Sequence, residues 1–201
     1  MKNLDRVASP TCLQGKIANR TWNVENIWHE LDKMQNGFCA YCERKLNSKK
    51  HIEHFKAKRD DNRLEFEWNN LFGSCGNPSS CGIFKDSKKG RPYRTQDLIK
   101  PDEHNPELYL FFSSTGKVKP RPNLNPRDLK LAQETIRVFN LNNDISLLGA
   151  RRRALKVHLE LITALIECDD YGTKENLIEL IKEYQELEFS AALNQLSIES
   201  L

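Results

Sequence analysis

Four cysteines form two closely spaced pairs, Cys39 with Cys42 and Cys75 with Cys81. A Cys-x-x-Cys turn can place two thiolates on one Zn²⁺, and a second pair completes a tetrahedral set of four ligands. The second pair is more widely spaced, so its intervening turn must bulge outward while both sulfurs point inward. The pattern predicts a structural zinc site, and the alternative is a group of ordinary buried thiols.

An acidic residue, a histidine and an asparagine lie between the two cysteine pairs: Glu53, His54 and Asn70. Phosphodiester hydrolysis needs a base that activates water, a divalent cation that stabilises charge on the phosphate, and a residue that fixes the tautomer of the base. His54 is the candidate base, Glu53 a candidate oxygen ligand for Mg²⁺ or Mn²⁺, and Asn70 the residue that orients the imidazole. A surface Glu-His pair and a zinc-binding histidine are the alternatives.

The candidate site must be positioned by local structure. Adjacent residues of a strand point to opposite faces, so Glu53 and His54 enter one cleft only if the strand ends or bends there. Residues 38–55 favour a small hairpin around a polar turn at 47–50. Before it, apolar residues at near-helical spacing end at Asn36-Gly37 and predict an amphipathic N-terminal helix: Trp22, Val24, Ile27, Trp28, Leu31 and Met34.

Basic residues surround the candidate site. Residues 44–94 contain thirteen Lys or Arg against six Asp or Glu, whereas residues 159–201 contain two against ten. Phosphate contacts position a strand without reading its bases, so the sequence does not separate DNA from RNA as the target. Solvated faces of opposite charge are the alternative. The candidate nucleic-acid-binding residues are Lys56, Lys58, Arg59, Lys85, Lys88, Lys89 and Arg91.

The remaining sequence predicts a helical C-terminal part. A proline-rich stretch at 101–126 interrupts any helix and suits a connector, with a hairpin strand at 108–112. Helical patterns follow at 129–139, 145–166 and 174–187, which indicates a bundle or a docking platform. We therefore divide the chain into a nuclease domain at 1–125 with the zinc knuckle and a helical region at 126–201 that docks a partner.

Composition excludes some classes of protein. The chain has 201 residues, 38% of them hydrophobic and 29% charged, which fits a soluble protein rather than a disordered one. No apolar run approaches the roughly 20 residues that a bilayer requires. The first residues contain no apolar segment of signal-peptide length, so we expect a cytoplasmic protein without a membrane partner.

Several motifs resemble a known family. CAYCER at 39–44, IEHF at 52–55, WNNL at 68–71 and the Cys75 to Cys81 segment with Lys85 are similar to the HNH endonucleases. More narrowly, they resemble the branch that forms the nuclease subunit of Septu-type antiphage defence, including retron-linked Septu systems. The similarity extends over roughly residues 5 to 160, and the cysteine-framed part is its most specific portion.

The resemblance implies an α+β fold: a zinc-stapled ββα-metal HNH core with an N-terminal helix and a C-terminal helical bundle. It implies that the four paired cysteines bind zinc, that Glu53 binds the catalytic ion, that His54 is the general base and that Asn70 is the middle asparagine. It also implies an SMC-like ATPase that holds and gates the nuclease. In a retron setting, a reverse transcriptase and its DNA would be further components.

One position departs from the family pattern. Many HNH proteins have a metal-binding histidine directly after the last cysteine, where this chain has Gly82. Asp86, four positions further along a helix, is the substitute second ligand, with His51 and His104 as outside candidates. This departure keeps a second hypothesis open, a non-catalytic zinc module that binds nucleic acid or protein. A third hypothesis is an adaptor that acts through its acidic tail at 159–201.

Overall fold

The computed structural model describes residues 1–167, 178–180 and 182–200. Helices and two small antiparallel sheets make up this part of the chain, which agrees with the expected α+β class. None of the described helices combines the length and the apolar character that crossing a membrane requires. The named elements are α1 (Val24–Gln35), β1 (His51–His54), β2 (Leu71–Ser74), α2 (Cys81–Asp86), β3 (Leu110–Phe112), β4 (Val118–Pro120), α3 (Pro126–Val138), α4 (Ile145–Glu167) and α5 (Ser190–Ser200).

The predicted N-terminal helix is confirmed as α1. The Asn23 side chain caps its first turn by accepting a hydrogen bond from the Asn26 backbone N–H. At the other end Asn36 is left-handed with φ 53°, and Gly37 follows with φ 71°. The Gln35 side chain then joins the helix to β2, because its amide donates to the Gly73 carbonyl at 2.9 Å and accepts from the Gly73 N–H.

The strand that carries Glu53 and His54 pairs differently from the prediction. We expected a hairpin within 38–55, but β1 pairs antiparallel with β2, with His54 opposite Leu71. Between 38 and 55 a single bridge joins Phe38 to Lys45. All four residues of β2 are buried, so β1 pairs with a strand inside the core. The residues before the polar 47–50 turn offer no such buried strand for β1 to pair with.

The predicted strand at 108–112 is confirmed as β3, which forms a hairpin with β4. Its turn at residues 113–116 ends at Gly116, whose φ of 82° favours glycine. The helical patterns at 129–139 and 145–166 are confirmed as α3 and α4. Part of the third pattern, at 174–187, and Cys168 lie outside the described residues.

Residues from both predicted domains contribute to one hydrophobic core. Phe139, which follows α3, stacks on Tyr41 with ring centroids 4.1 Å apart, and α5 places Leu193 in the same core. Buried Glu43 accepts hydrogen bonds from the Ser190 hydroxyl and the Ala191 N–H at the start of α5. The division at residue 125 stays a prediction, and removing α5 would expose part of this core.

A buried arginine joins α4 to the loops beneath it. Arg151 is 1% exposed, and its Nη1 donates to the Gly116 carbonyl at 2.8 Å and to the Leu141 carbonyl at 3.3 Å. Its guanidinium also lies over the rings of Phe112 and Phe189. Burial lowers the pKa of Arg151, so these carbonyls and rings compensate for the lost hydration of the charge.

We expect Arg151→Met to destabilise the fold by about 3 kcal/mol, because two buried carbonyls lose their donor. Chemical denaturation measures this change. The matched control is Arg153→Met, which removes an exposed arginine from the same helix and should change stability by less than about 0.5 kcal/mol. Equal stability of the two variants would contradict this account of Arg151.

Candidate functional site

The four paired cysteines converge as the spacing predicted. Cys39 and Cys42 lie in the turn between α1 and β1, Cys75 directly follows β2, and Cys81 begins α2. Their sulfurs all lie within 4.8 Å of one another, and the Cys42 and Cys75 sulfurs are 3.9 Å apart. Sulfurs bonded tetrahedrally to one Zn²⁺ at about 2.3 Å stand about 3.8 Å apart. The cluster therefore has the donors and the spacing to hold zinc.

The electrostatics of the cluster favour a bound cation. Hydrogen bonds with Cys39 raise the pKa values of the Cys42 and Cys81 thiols. Burial opposes ionisation of Cys39, but hydrogen bonds from the other three thiols lower its pKa. Without a cation the close sulfurs cannot all ionise, whereas a dication stabilises four thiolates together. Within the described part of the chain, these four cysteines are the one group of three or more His, Cys, Asp or Glu residues whose ligand atoms lie close enough to bind one metal ion.

His54 lies at the end of β1 and is held in one orientation. Its Nε2 is 3.0 Å from the Glu65 backbone carbonyl, so this nitrogen carries a proton and donates it. The Trp22 ring stacks on the imidazole with centroids 5.6 Å apart and an interplanar angle of 16°. Burial lowers the pKa of His54, which favours the neutral ring. Nδ1 therefore has the free lone pair that a general base needs.

Asn70 does not orient the imidazole, contrary to our expectation. Its Oδ1 accepts from the Lys56 N–H at 2.8 Å, and its Nδ2 donates to the Lys56 carbonyl at 3.0 Å. The two bonds hold the chain directly after the strand that carries His54. Asn70 thus shapes the backbone beside the histidine, while the Glu65 carbonyl and Trp22 fix the ring.

Glu53 occupies the space beside Gly82. The carboxylate is 3% exposed, and its Oε2 lies 3.2 Å from His51 Nε2. A Cβ at position 82 would stand 2.5 Å from the Glu53 Cδ atom, far inside van der Waals contact. The chain therefore has a glycine here because the acidic side chain fills the space that a side chain at position 82 would need.

Lys85 lies on the other side of this carboxylate, and the expectation that it contacts nucleic acid from the surface is wrong. Its side chain is completely buried. The ammonium donates to the His54 carbonyl at 3.0 Å, to Asp86 Oδ1 at 2.8 Å and to the Tyr93 hydroxyl at 3.0 Å. Glu53 Oε1 is 2.8 Å from the same nitrogen, an ion-pair contact without hydrogen-bond geometry. Burial opposes the charge, but Glu53, Tyr93 and Asp86 together raise the pKa of Lys85.

The structure brings Asp86 and Glu53 together, as expected for two ligands of one ion, but with Lys85 Nζ between them. The ammonium lies 2.8 Å from an oxygen of each carboxylate and occupies the space between them, so a divalent ion could bind both only by displacing Lys85. These residues do not fit Mg²⁺ or Mn²⁺ in this arrangement. His51 contacts Glu53, whereas His104 Nδ1 accepts from the Lys100 N–H, away from the carboxylates.

The other candidate nucleic-acid contacts lie at the surface in whole or in part. Lys56, Lys58 and Arg91 form ion pairs with acidic neighbours at 3.1, 2.7 and 2.7 Å. Arg59 donates to the Asp86 carbonyl and joins the loop after β1 to the end of α2. Lys88 and Lys89 are exposed directly after α2. These side chains surround the site, and their role in binding nucleic acid stays a prediction.

Three residues that contact the site were not among the sequence-based candidates: Trp22, Glu65 and Tyr93. Trp22 precedes α1 by two residues and was assigned to the apolar face of the helix, yet it is 40% exposed and stacks on His54. The Tyr93 hydroxyl accepts a hydrogen bond from the Lys85 ammonium, and the Glu65 backbone carbonyl accepts one from His54 Nε2. A tryptophan between polar neighbours, Thr21 and Asn23, was the one signal in the sequence, because contacts with a backbone carbonyl carry no residue-type pattern.

The site thus consists of the antiparallel strands β1 and β2, the short helix α2 and a cluster of four cysteines that joins them, with the neutral His54 at its edge. No protein-family model matches the chain. The chain is similar to the Septu protein PtuB of Bacillus mycoides (strain KBAB4), with 26% identity over 153 residues. The match includes 63% of this chain and 50% of that protein. The chain spans about half the length of the curated relative it matches.

We expect Cys81→Ser to remove zinc and to destabilise the fold severely, because structural zinc contributes roughly 10–16 kcal/mol in small zinc peptides. Elemental analysis of the purified protein should give about one zinc per chain for the wild type and far less for the variant. Cys12→Ser is the matched control, since Cys12 lies outside the cluster. An unchanged zinc content in Cys81→Ser would contradict the four-cysteine site.

We expect Gly82→Ala to destabilise the protein by about 1–3 kcal/mol, because the added methyl group collides with the Glu53 carboxylate. The control is Gly149→Ala in α4, where a Cβ meets only the end of the Arg153 side chain at 3.5 Å. That substitution should stabilise the helix by roughly 0.5–1 kcal/mol. Thermal unfolding measures the stability of both variants against the wild type. A Gly82→Ala variant as stable as the wild type would show that Glu53 lies elsewhere.

Proposed function

We propose that this chain is an HNH-type endonuclease that hydrolyses phosphodiester bonds in DNA or tRNA as the effector of an antiphage defence system. The observation that carries the proposal is the state of His54: a neutral imidazole, stacked on Trp22, with Nε2 committed to the Glu65 carbonyl and Nδ1 free. A general base needs this combination of a fixed ring, one nitrogen with a free lone pair and a neutral charge state.

The reaction follows from that arrangement. His54 Nδ1 accepts a proton from water, the water oxygen attacks phosphorus, and the bond to the leaving oxygen breaks as that oxygen takes a proton from solvent. The exposed side chains of Lys58, Arg59, Lys88 and Lys89 hold the phosphates on either side. Zinc on the four cysteines acts structurally, since its ligand shell is complete.

The defence role rests on the 26% identity to the Septu protein PtuB and on the resemblance of the cysteine-framed motifs to that family. An SMC-like ATPase is the proposed partner, with a retron reverse transcriptase and its DNA as further components in a retron-linked system. On the described surface, α4 exposes Val157 and Leu161, which lie one helical turn apart on the same face, with Val157 60% exposed. Exposed apolar side chains of this kind suit protein docking, so we place the partner at the 126–201 region.

A non-catalytic zinc module that binds nucleic acid or protein is the second candidate. One observation favours it: the buried ion pair of Lys85 with Glu53 fills the place expected for a catalytic ion. The same fold and the same zinc cluster serve both functions, so only a measurement of turnover separates them.

We expect His54→Ala to lower cleavage by roughly 10²–10⁴-fold, because the general base is lost. The assay uses plasmid DNA, single-stranded DNA and tRNA with the protein and its genomic neighbours, with and without Mg²⁺ or Mn²⁺. The control is His29→Ala, which removes a 69% exposed histidine side chain from α1 and should cleave as the wild type does.

Two readouts make the result decisive. Zinc content and unfolding temperature of His54→Ala must equal those of the wild type, so that a lost activity reports on the base. Cleavage by the wild type and by His54→Ala at the same rate would reject the proposed base. Absence of cleavage in every protein, with every substrate and partner tested, would favour the binding module.

A further inference from the structure

The surroundings of the Lys85 ammonium are those of a bound cation. Four oxygens from four different groups lie at 2.8–3.0 Å from Nζ: two carboxylates, one main-chain carbonyl and one phenol. Such a mixture of carboxylate and carbonyl oxygens is also what a hard metal ion selects. The distances are ammonium distances, however, and exceed those of both Mg²⁺ and the 2.3–2.6 Å of Ca²⁺.

Residues of β1 and α2 hold the Lys85 ammonium and the Glu53 carboxylate in place. Lys85 is on α2 and reaches back to the strand β1, so its side chain crosses the inside of the two-strand and helix unit. The Glu53 carboxylate is fixed between this ammonium and the backbone of Gly82. Removing a buried, hydrogen-bonded charge from its partners costs several kcal/mol, so a divalent ion would have to displace Lys85 at that cost.

We propose that Lys85 is the resident cation of this site, and that it holds the place between Glu53 and Asp86 that a divalent ion would take. The ammonium also donates to the main-chain carbonyl of His54 at 3.0 Å. Cleavage by the zinc-loaded protein then requires no added divalent ion at these carboxylates. That consequence rests on the proposed function, whereas the occupancy of the site does not.

The first measurement is binding of Mn²⁺ to the full-length, zinc-loaded protein, followed by the paramagnetic resonance of free Mn²⁺. Wild type and Glu53→Gln are compared, because glutamine keeps the shape of the side chain and removes its charge. We expect the two proteins to bind Mn²⁺ equally, and equal binding supports the proposal because any ion then lies elsewhere. One equivalent that is bound by the wild type and lost in Glu53→Gln would overturn it.

The second measurement needs no substitution and decides the question if Glu53→Gln does not fold. Acetylation of the wild type is followed for each lysine by mass spectrometry, with the exposed Lys58 as the internal control. Buried Lys85 should react at least about 100-fold more slowly than Lys58, with less than about a twofold change in millimolar Mg²⁺. A marked gain in Lys85 reactivity with Mg²⁺ would show that the ion displaces the ammonium and would overturn the proposal.

Neither measurement depends on cleavage. A protein without nuclease activity could still hold Lys85 as its resident cation, and an active nuclease could still exchange Lys85 for a metal ion. Failure of this inference is therefore distinguishable from failure of the His54 test.

Discussion

The convergence of four sulfurs within 4.8 Å is the constraint on which the site depends. The cysteines come from three places: the turn after α1, the end of β2 and the start of α2. The strands between them have only four residues each, too short to hold an active-site loop by sheet pairing alone. The four cysteines have the spacing to bind one zinc ion, and an ion bound there would join all three segments at one point and fix the position of α2 relative to β1.

The arrangement of α2 determines how charge is buried beside the cluster. Because Cys81 fixes the first residue of the helix, Gly82 meets Glu53 and Lys85 reaches across to the same carboxylate. An acidic side chain that is 3% exposed requires a partner, and the Lys85 ammonium lies 2.8 Å from its Oε1. The Lys85 ammonium also donates to the His54 carbonyl, so the cysteine cluster and the candidate base are connected through the Lys85–Glu53 ion pair.

The C-terminal helices are part of this construction and not a separate attachment. Glu43, the residue after Cys42, accepts a hydrogen bond from the Ala191 N–H at the start of α5. Burial alone would raise the pKa of Glu43, but the N-terminal ammonium and the Ala191 N–H lower it. The Cys81 N–H donates to the Phe139 carbonyl after α3 at 2.9 Å. A partner that docks on the helices would therefore contact a body that is continuous with the cysteine cluster.

The sequence by itself determined the cysteine set, α1, β3, α3 and α4, because each depends on local spacing: a ligand pair in a turn, a helical period, or a turn glycine. It also identified Glu53, His54 and Asn70 as the residues to examine, and their catalytic roles stay proposals. Only the tertiary structure decided that β1 pairs with β2, that Asn70 bonds Lys56 rather than His54, and that Lys85 is buried. These outcomes depend on contacts between distant segments, and a lysine has the same sequence signature whether its charge faces phosphate or a buried carboxylate.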